Sequence, residues 1–205
     1  MNEPGSQVIY TIGHSNHPNE RLVDLLHQHG VSALADVRSV PYSGHWPQFN
    51  KEVLASSLAA AGIAYVFLGR ELGARREEPG CYENGRVSFQ EVMKQPLFQE
   101  GIRRLLEGTK THRVALMCAE KDPLDCHRMV LVCRALKAAG ADVRHILEDG
   151  CIESQEEAEA RLVKRLGIEP TLFEQDATRE ELVARAYDEQ GHAIAHQTDG
   201  GEDDP

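Results

Sequence analysis

The chain alternates short apolar runs with segments that carry apolar residues at helical spacing. The apolar runs are VIYTI (8–12), ALADV (33–37), IAYVFL (63–68), RVALMC (113–118) and DVRHIL (142–147), and they predict five strands. The helical segments are 19–29, 51–61, 96–108 and 126–139. Apolar strands separated by helices are typical of a parallel sheet covered on both faces. We therefore predict a doubly wound α/β fold with a mostly parallel sheet of about five strands.

Two capping boxes predict further helices near the C-terminus, Ser154 with Glu157 and Thr178 with Glu181. They follow the last predicted strand, so they indicate a C-terminal helical extension. We predict a Rossmann-like α/β domain over 1–150 that carries the site, an acidic helical extension over 151–190, and a disordered tail over 191–205.

The net charge of −11 is unevenly distributed. Residues 148–205 hold 17 acidic and 5 basic side chains, whereas residues 1–147 hold 16 acidic and 17 basic ones. Such a balance argues against indiscriminate DNA binding but leaves room for a local cationic pocket.

The chain has no apolar run of about 18 residues, so we expect no membrane span. No secretory signal is visible at the start, and five cysteines is an odd number. We therefore expect a cytoplasmic protein with reduced thiols.

Polar and reactive side chains follow each of the first four predicted strands. In chain order they are His14 and Ser15, Asp36 and Arg38, Arg70 and Arg75, and Cys118 and Glu120. Because the carboxyl ends of parallel strands meet at one edge, we expect these side chains to surround a ligand site there.

The segment LMCAEKDPLDCHRMV (116–130) is the densest in chemistry. Asp125 is the predicted N-cap of the following helix, which would place Cys126, His127 and Arg128 in its first turn. A helix N-terminus favours an anion, either the Cys126 thiolate or a ligand group bound by Arg128. Cys118 is the alternative nucleophile, with His14 or His127 as the base.

A metal site is the main rival to a nucleophilic cysteine. His14, Cys118, Cys126 and His127 offer ligands for zinc or iron. However, the segment lacks the CxxC or HxxxH spacing of a strong metal motif. The cofactor therefore stays open between none, zinc and iron.

The loop SVPYSGHWP (39–47) has prolines that favour an extended backbone. Tyr42, His45 and Trp46 offer hydrogen bonds and a flat ring for stacking, as a nucleobase requires, and Ser43 in the same loop is a candidate substrate-binding residue. The alternative is a loop that closes over the edge of the sheet, with Trp46 as its plug.

Several motifs together resemble the domain-of-unknown-function family 488. They are TIGHS (11–15), DVRSVPYS (36–43), PQFN (47–50), GIAY (62–65), LGAR (72–75), LMCAEKDPLDCHR (116–128) and HILEDG (145–150). The resemblance spans 8–150 and implies a Rossmann-like domain with a shared site. It implies no settled reaction, and a role in nucleic-acid metabolism or repair has been suggested for members.

The positions that match the family's motifs are His14, Ser15, Asp36, Arg38, Ser43, Cys118, Glu120, Cys126, His127 and Arg128. The chain departs from the family at Gly44-His45, where members often carry basic residues. It also has Gly73-Ala74-Arg75 where members often have Gly-Gly-Arg. The first departure weakens an expected anion contact, and the second puts a tight backbone approach in doubt.

The leading hypothesis is an enzyme acting on an anionic, nucleotide-like or nucleic-acid-derived substrate. Cys126 or Cys118 would be the nucleophile, His14 or His127 the acid–base group, and Glu120 or Asp36 its partner. Arg38 and Arg128 would bind the substrate's negative charge. The alternatives are a metal-dependent hydrolase that uses the Cys/His cluster and a non-catalytic nucleotide- or nucleic-acid-binding module. Protein partners are unknown from the sequence.

Overall fold

The computed structural model describes residues 7–170 and 177–197. Its strands are β1 Val8–Gly13, β2 Ala33–Asp36, β3 Ala64–Phe67, β4 Tyr82–Glu83, β5 Arg86–Val87, β6 Val114–Cys118, β7 Asp142–Ile146 and β8 Ile152–Ser154. Its α-helices are α1 Asn19–Gln28, α2 Lys51–Ala60, α3 Gly69–Leu72, α4 Phe89–Lys94, α5 Pro96–Gly108, α6 Arg134–Ala138, α7 Gln155–Leu166 and α8 Arg179–Ile194. A π-helical segment, Arg128–Cys133, precedes α6 directly.

The main sheet has six strands in the order β3-β2-β6-β1-β7-β8. The first five of these are parallel to their neighbours, and β8 pairs antiparallel with β7. All five predicted strands are present in it. The α/β fold with a mostly parallel sheet is therefore confirmed, with β8 as an unpredicted sixth strand.

Two hydrophobic clusters cover the two faces of the sheet. Leucines of α1 and α2 pack with β1, β2 and β6 residues on the first face. The second face packs against α5, the π-helical segment, α6, α7 and α8. Side chains alternate between the faces, so Met117 lies on the first face and Cys118 on the second.

The C-terminal helices share the core of the second face. Ala158 and Leu162 of α7 and Val183 and Ala186 of α8 belong to the same cluster as strand residues of β1 and β6. The predicted domain boundary at residue 150 stays a prediction. The predicted tail begins too early, because residues 191–194 are the last turn of α8. Residues 198–205 lie outside the described residues.

The short elements escaped prediction. The hairpin of β4 and β5 has two residues in each strand, too few for an alternation to be read.

None of the helices in the described ranges combines the length and apolar composition needed to cross a membrane.

A chain of buried hydrogen bonds ties the C-terminal helices to the sheet. Thr11 donates to His145 Nδ1 at 2.8 Å, and His145 Nε2 lies 2.9 Å from the Gln155 amide oxygen. The Gln155 amide nitrogen donates to the Tyr187 hydroxyl, which in turn donates to Glu159. Burial lowers the pKa of His145 to about 3, so the imidazole is neutral.

We predict that replacing Gln155 by Ala lowers the free energy of unfolding by about 1–3 kcal/mol, because the buried His145 N–H loses its acceptor. Urea unfolding would measure the loss. Gln90→Ala, an exposed glutamine-to-alanine change on α4, is the control and should stay close to wild type. Equal midpoints for the two variants would show that the network adds no stability.

Candidate active site at the carboxyl edge of the sheet

Strand β6 ends between two strands whose chains continue on the opposite face of the sheet. Its neighbours are β1 and β2, and the helices that follow them, α1 and α2, pack on the first face. The helix that follows β6 packs on the second face. Adjacent strands whose connections diverge in this way leave a crevice at their carboxyl ends, where ligands bind in open α/β sheets.

The loops after β1 and β6 lie directly against each other. Gly13 is in register with Cys118, and a Cβ atom on Gly13 would overlap the carbonyl of Glu120. The Ser15 N–H donates to the Ala119 carbonyl at 2.9 Å. Ser15 has a φ of 49°, in the left-handed region that non-glycine residues rarely adopt. Strained backbone of this kind clusters at functional sites.

Cys126, rather than Asp125, occupies the N-cap position of the helix after β6. Cys126 is extended (φ −129°, ψ 139°), and His127 is already helical (φ −59°, ψ −24°). The Cys126 sulfur accepts the Arg128 N–H at 3.4 Å. Asp125 ends a 3-10 turn, and its carboxylate pairs with Arg165. The predicted cap at Asp125 is therefore wrong, and the sulfur itself faces the free N–H groups.

The helix that begins at His127 opens with the π-helical segment, in which all six side chains are buried. Segments with this wider hydrogen-bonding pattern are rare and are frequent at functional sites.

The imidazole of His127 faces both sulfurs. Its Nδ1 lies 3.6 Å from Cys118 Sγ and 4.0 Å from Cys126 Sγ. Its Nε2 lies 3.1 Å from the carbonyl oxygen of Val37, which can only accept, so Nε2 carries a proton. That contact fixes the ring and leaves Nδ1 as the atom that exchanges a proton with the thiols.

Glu120 connects the buried sulfurs to solvent. Its Oε2 lies 2.8 Å from Cys126 Sγ, although the residue as a whole is exposed. Burial, with the charge of Cys126, raises the pKa of Glu120. A hydrogen bond of 2.8 Å therefore joins the sulfur and the carboxyl group, and the ionisation of each affects the other.

The two thiols of the site have opposite tendencies. The hydrogen bond to Cys126, together with burial, raises the pKa of Cys118 well above its usual value. Burial also opposes ionisation of Cys126, but the Cys118 hydrogen bond, the Arg128 charge and His127 outweigh it and lower its pKa well below the usual value. For His127, burial is outweighed by the hydrogen bond and charge of Cys126, and its pKa is raised. Cys126 is therefore the thiolate of the pair.

Arg128 is buried beside this cluster, with 1% of its surface exposed. Its Nη1 and Nη2 donate to the backbone carbonyls of Glu120 and Lys121 at 2.7 and 3.1 Å, and its Nε has no hydrogen-bond partner over 7–170 and 177–197. No ion pair within the described residues includes it. The guanidinium thus holds the loop after β6 in place. Its positive charge is compensated by negative charge on Cys126 and Glu120.

A second cluster lies at the same edge but on the first face. Arg38 binds both carboxylate oxygens of Asp36, donates to the Phe49 carbonyl and contacts His14 Nε2 at 3.3 Å. The Tyr65 hydroxyl donates to Asp36 at 2.8 Å. Arg38 and Asp36 form an ion pair with each other. In the structure, Arg38 is therefore not positioned to bind a substrate's negative charge beside the thiols, and Asp36 does not orient a histidine there.

His14 is also occupied on both sides of its ring. Its Nδ1 donates to the Ser15 carbonyl at 2.9 Å, and its Nε2 accepts from Arg38. Burial lowers its pKa to about 4. A neutral imidazole with no free lone pair is a poor base for either cysteine, so His127 is the better placed of the two predicted histidines.

The remaining predicted binding residues lie on the surface. Tyr42 and Trp46 are 53% and 40% exposed, and the Ser43 hydroxyl accepts the Trp46 N–H. Arg70 and Arg75 are exposed, and neither side chain has a hydrogen-bond or ion-pair partner among the described residues. Trp46 therefore does not plug the sheet edge. The Tyr42 hydroxyl donates to Glu52 at 2.8 Å, so this surface offers a ligand the two aromatic rings and the two guanidinium groups.

A cleft of about 820 Å³ reaches the site from the side of Glu120. It is bounded by the loops after β6 and β7 and by α7, and its charged lining is mostly acidic: Glu120, Lys121, Asp122, Asp125, Glu148, Asp149, Glu153 and Arg161. The cleft gives small molecules and protons a route to Glu120 and, through it, to Cys126.

Three residues of the site were missed by the sequence analysis. Val37 acts through its backbone carbonyl, which carries no signal in the sequence. Tyr65 is a hydroxyl in an otherwise apolar strand, and Gly13 is a glycine at the strand end. A hydroxyl within an apolar strand and a glycine at the end of a strand are both visible in the sequence, so Tyr65 and Gly13 could have been predicted.

Comparison with known proteins gives a family but no activity. Residues 18–135 match the family model described as "Domain of unknown function DUF488". No curated protein matched the chain, and no solved structure did. The matched range contains the cysteine cluster, which we define as Cys118, Cys126 and His127. It also contains Asp36 and Arg38, whereas His14 and Ser15 precede it.

We predict that Gly13→Ala displaces the loop carrying Glu120 and slows alkylation of Cys126 at neutral pH. The new methyl group would overlap the Glu120 carbonyl, which Arg128 also binds. The expected loss of stability is about 1–3 kcal/mol, as for an overpacked core. Peptide-resolved labelling and urea unfolding would measure both effects.

Gly44→Ala is the matched control, because a methyl group there meets nothing within 4 Å. Wild-type labelling in the Gly13 variant would contradict the tight loop contact.

Proposed function

Because the chain belongs to the DUF488 family, whose description leaves the activity open, we propose from the site itself that it is a cysteine-dependent enzyme with Cys126 as nucleophile. The observation that carries the proposal is the position of the Cys126 sulfur. It caps a helix N-terminus, lies 2.8 Å from Glu120, and neighbours a buried guanidinium that forms no ion pair with any described carboxylate. The helix N-terminus and the guanidinium stabilise a thiolate, and Glu120 is close enough to exchange a proton with it.

The chemistry is a two-step transfer. The Cys126 thiolate attacks an electrophilic centre of the substrate, a sulfur–substrate bond forms, and the leaving group takes the proton held by Glu120. Glu120, now ionised, then removes a proton from water or another acceptor, which displaces the thiolate and restores the starting state. His127 stabilises the thiolate through Nδ1, with its ring oriented by the Val37 carbonyl.

We assign the substrate to the class of anionic, nucleotide-like or nucleic-acid-derived molecules. The guanidinium groups of Arg70 and Arg75 have no partner in the part of the chain that the structure describes, and the rings of Tyr42 and Trp46 are exposed. These groups suit phosphate and base recognition. The acidic cleft beside Glu120 would repel such a molecule. The substrate is therefore proposed to approach from the loops after β2 and β3, and the cleft is left to water and protons.

Two other functions use the same residues differently. A metal-dependent hydrolase would require a bound ion with an open coordination position, and its activity would disappear on chelation. A binding module without turnover would use the surface arginines and rings alone, and its binding would survive alkylation of the thiols. The cytoplasmic location stays a prediction, and five free thiols are consistent with it.

We predict that Cys126 reacts with iodoacetamide at a lower pH than the other cysteines. Its lowered pKa keeps the thiolate present at pH values where an ordinary thiol, with a pKa of about 8.5, is protonated. The measurement is the pH dependence of labelling, peptide by peptide, on metal-stripped protein.

Cys151 and Cys133 are internal controls. Cys151 is exposed beside Asp149, whose hydrogen bond raises its pKa, and burial raises that of Cys133. A Cys126 that labels no earlier in pH than Cys151 would overturn the assignment. A Cys126→Ser variant that retains turnover on any nucleotide found by a thermal-shift screen would overturn it too.

A further inference from the structure

Three ligand atoms converge inside the cysteine cluster. Cys118 Sγ, Cys126 Sγ and His127 Nδ1 all lie within 4.8 Å of one another, and all three residues are buried. The nitrogen is 3.6 and 4.0 Å from the two sulfurs. A tetrahedral zinc ion, with Zn–S of about 2.3 Å and Zn–N of about 2.0 Å, separates its sulfur and nitrogen ligands by about 3.5 Å. The three atoms therefore need only small movements to coordinate one ion.

The hydrogen bond of His127 prepares it as a ligand. Its Nε2 proton is held by the Val37 carbonyl, so the lone pair available for coordination is the one on Nδ1, between the sulfurs. A ligating histidine almost always donates its second ring N–H to a carboxylate, carbonyl or water. The backbone of the strand-end loop supplies that second contact here.

Glu120 can complete the set by turning its side chain, because its carboxylate is not among the ligand atoms that already lie within 4.8 Å of one another. Its Oε2 already contacts Cys126 Sγ at 2.8 Å, and its side chain reaches the cluster from the acidic cleft. His14, the fourth ligand expected from the sequence, has both ring nitrogens engaged by Ser15 and Arg38.

The charges of this set also balance. Two thiolates and one carboxylate contribute three negative charges, and a divalent cation together with Arg128 contributes three positive ones. The buried guanidinium, which has no carboxylate partner among the described residues, then lies in an electrically neutral site. A buried charge requires such compensation.

We propose that Cys118, Cys126, His127 and Glu120 form a closed four-ligand site for Zn²⁺ or another thiophilic divalent cation, and that the bound ion blocks the Cys126 nucleophile. Four protein ligands leave no open position, as in structural rather than catalytic zinc sites. The acidic cleft provides the ion's route to Glu120. The blocking role rests on the proposed function, whereas the binding site does not.

Cobalt titration of the metal-stripped full-length protein tests the binding. We expect one Co²⁺ per chain, with a thiolate-to-cobalt charge-transfer band and the visible bands of a tetrahedral ion, and displacement by Zn²⁺. The band should disappear in Cys118→Ser. Cys133→Ser, which removes a buried thiol outside the ligand set, is the matched control and should keep it.

Glu120→Gln keeps the test decisive if Cys118→Ser does not fold, because Glu120 is exposed. The Glu120→Gln variant should bind Zn²⁺ roughly tenfold more weakly or worse. A roughly tenfold loss is the lower limit even for residues that only hydrogen-bond to a metal ligand. Zn²⁺ should also stop alkylation of Cys126 in the wild type, and a chelator should restore it.

No thiolate–cobalt band in the folded wild type would overturn the metal site, as would an unchanged Zn²⁺ affinity in Glu120→Gln. If Cys126 of the stripped protein still labelled at low pH, the proposed nucleophile would stand without the metal. If the cobalt band is present but Cys126 labels only at the pH of an unperturbed thiol, the metal site is supported. The proposed cysteine enzyme and its inhibition by the ion are then rejected.

Discussion

The guanidinium of Arg128 lies inside the protein, keeps its proton at any ordinary pH, and has no carboxylate within ion-pair distance among the described residues. An uncompensated charge in that position would be expensive. The groups beside it that can carry a negative charge are the Cys126 thiol, whose sulfur accepts the Arg128 N–H, the Cys118 thiol and the Glu120 carboxyl group. One buried cation thereby holds the loop that presents Glu120 and favours ionisation of the cysteine.

The fold provides this environment by the direction of its connections. β6 lies between β1 and β2 but continues to the opposite face, so its loop crosses the strand end at Gly13 before turning into the buried helix. The thiols and Arg128 end up on the second face. The saturated pair of Asp36 and Arg38 lies on the first face, where it joins the loops of β1 and β2 to the start of α2 through His14 and the Phe49 carbonyl.

Much of this arrangement could be predicted from the sequence, because it depends on periodicity and on order along the chain. The five central strands and the concentration of chemistry after β6 are of that kind. The hydrogen-bond partners are not, because they depend on which groups burial brings together. Asp125 has a better N-cap side chain than Cys126, yet its carboxylate turns to Arg165 and the sulfur takes the position. Arg38 and Arg128 look alike in sequence as anion binders, but Arg38 forms an ion pair with Asp36, whereas Arg128 donates to backbone carbonyls and has no ion pair within the described residues.

The central interaction of the site is the one by which the charge of Arg128 keeps Cys126 ionised. The most direct measurement is the ultraviolet absorbance of the thiolate as a function of pH in metal-stripped wild type and in Arg128→Met, each referenced to the same protein carrying Cys126→Ser. The wild type should show one thiolate that persists to lower pH than an ordinary thiol with a pKa of about 8.5. Loss of the buried cation should move its appearance up by about 1–3 pH units, the usual effect of one nearby opposite charge. A Cys126 titration that is the same in the folded Arg128→Met variant as in the wild type would contradict the account.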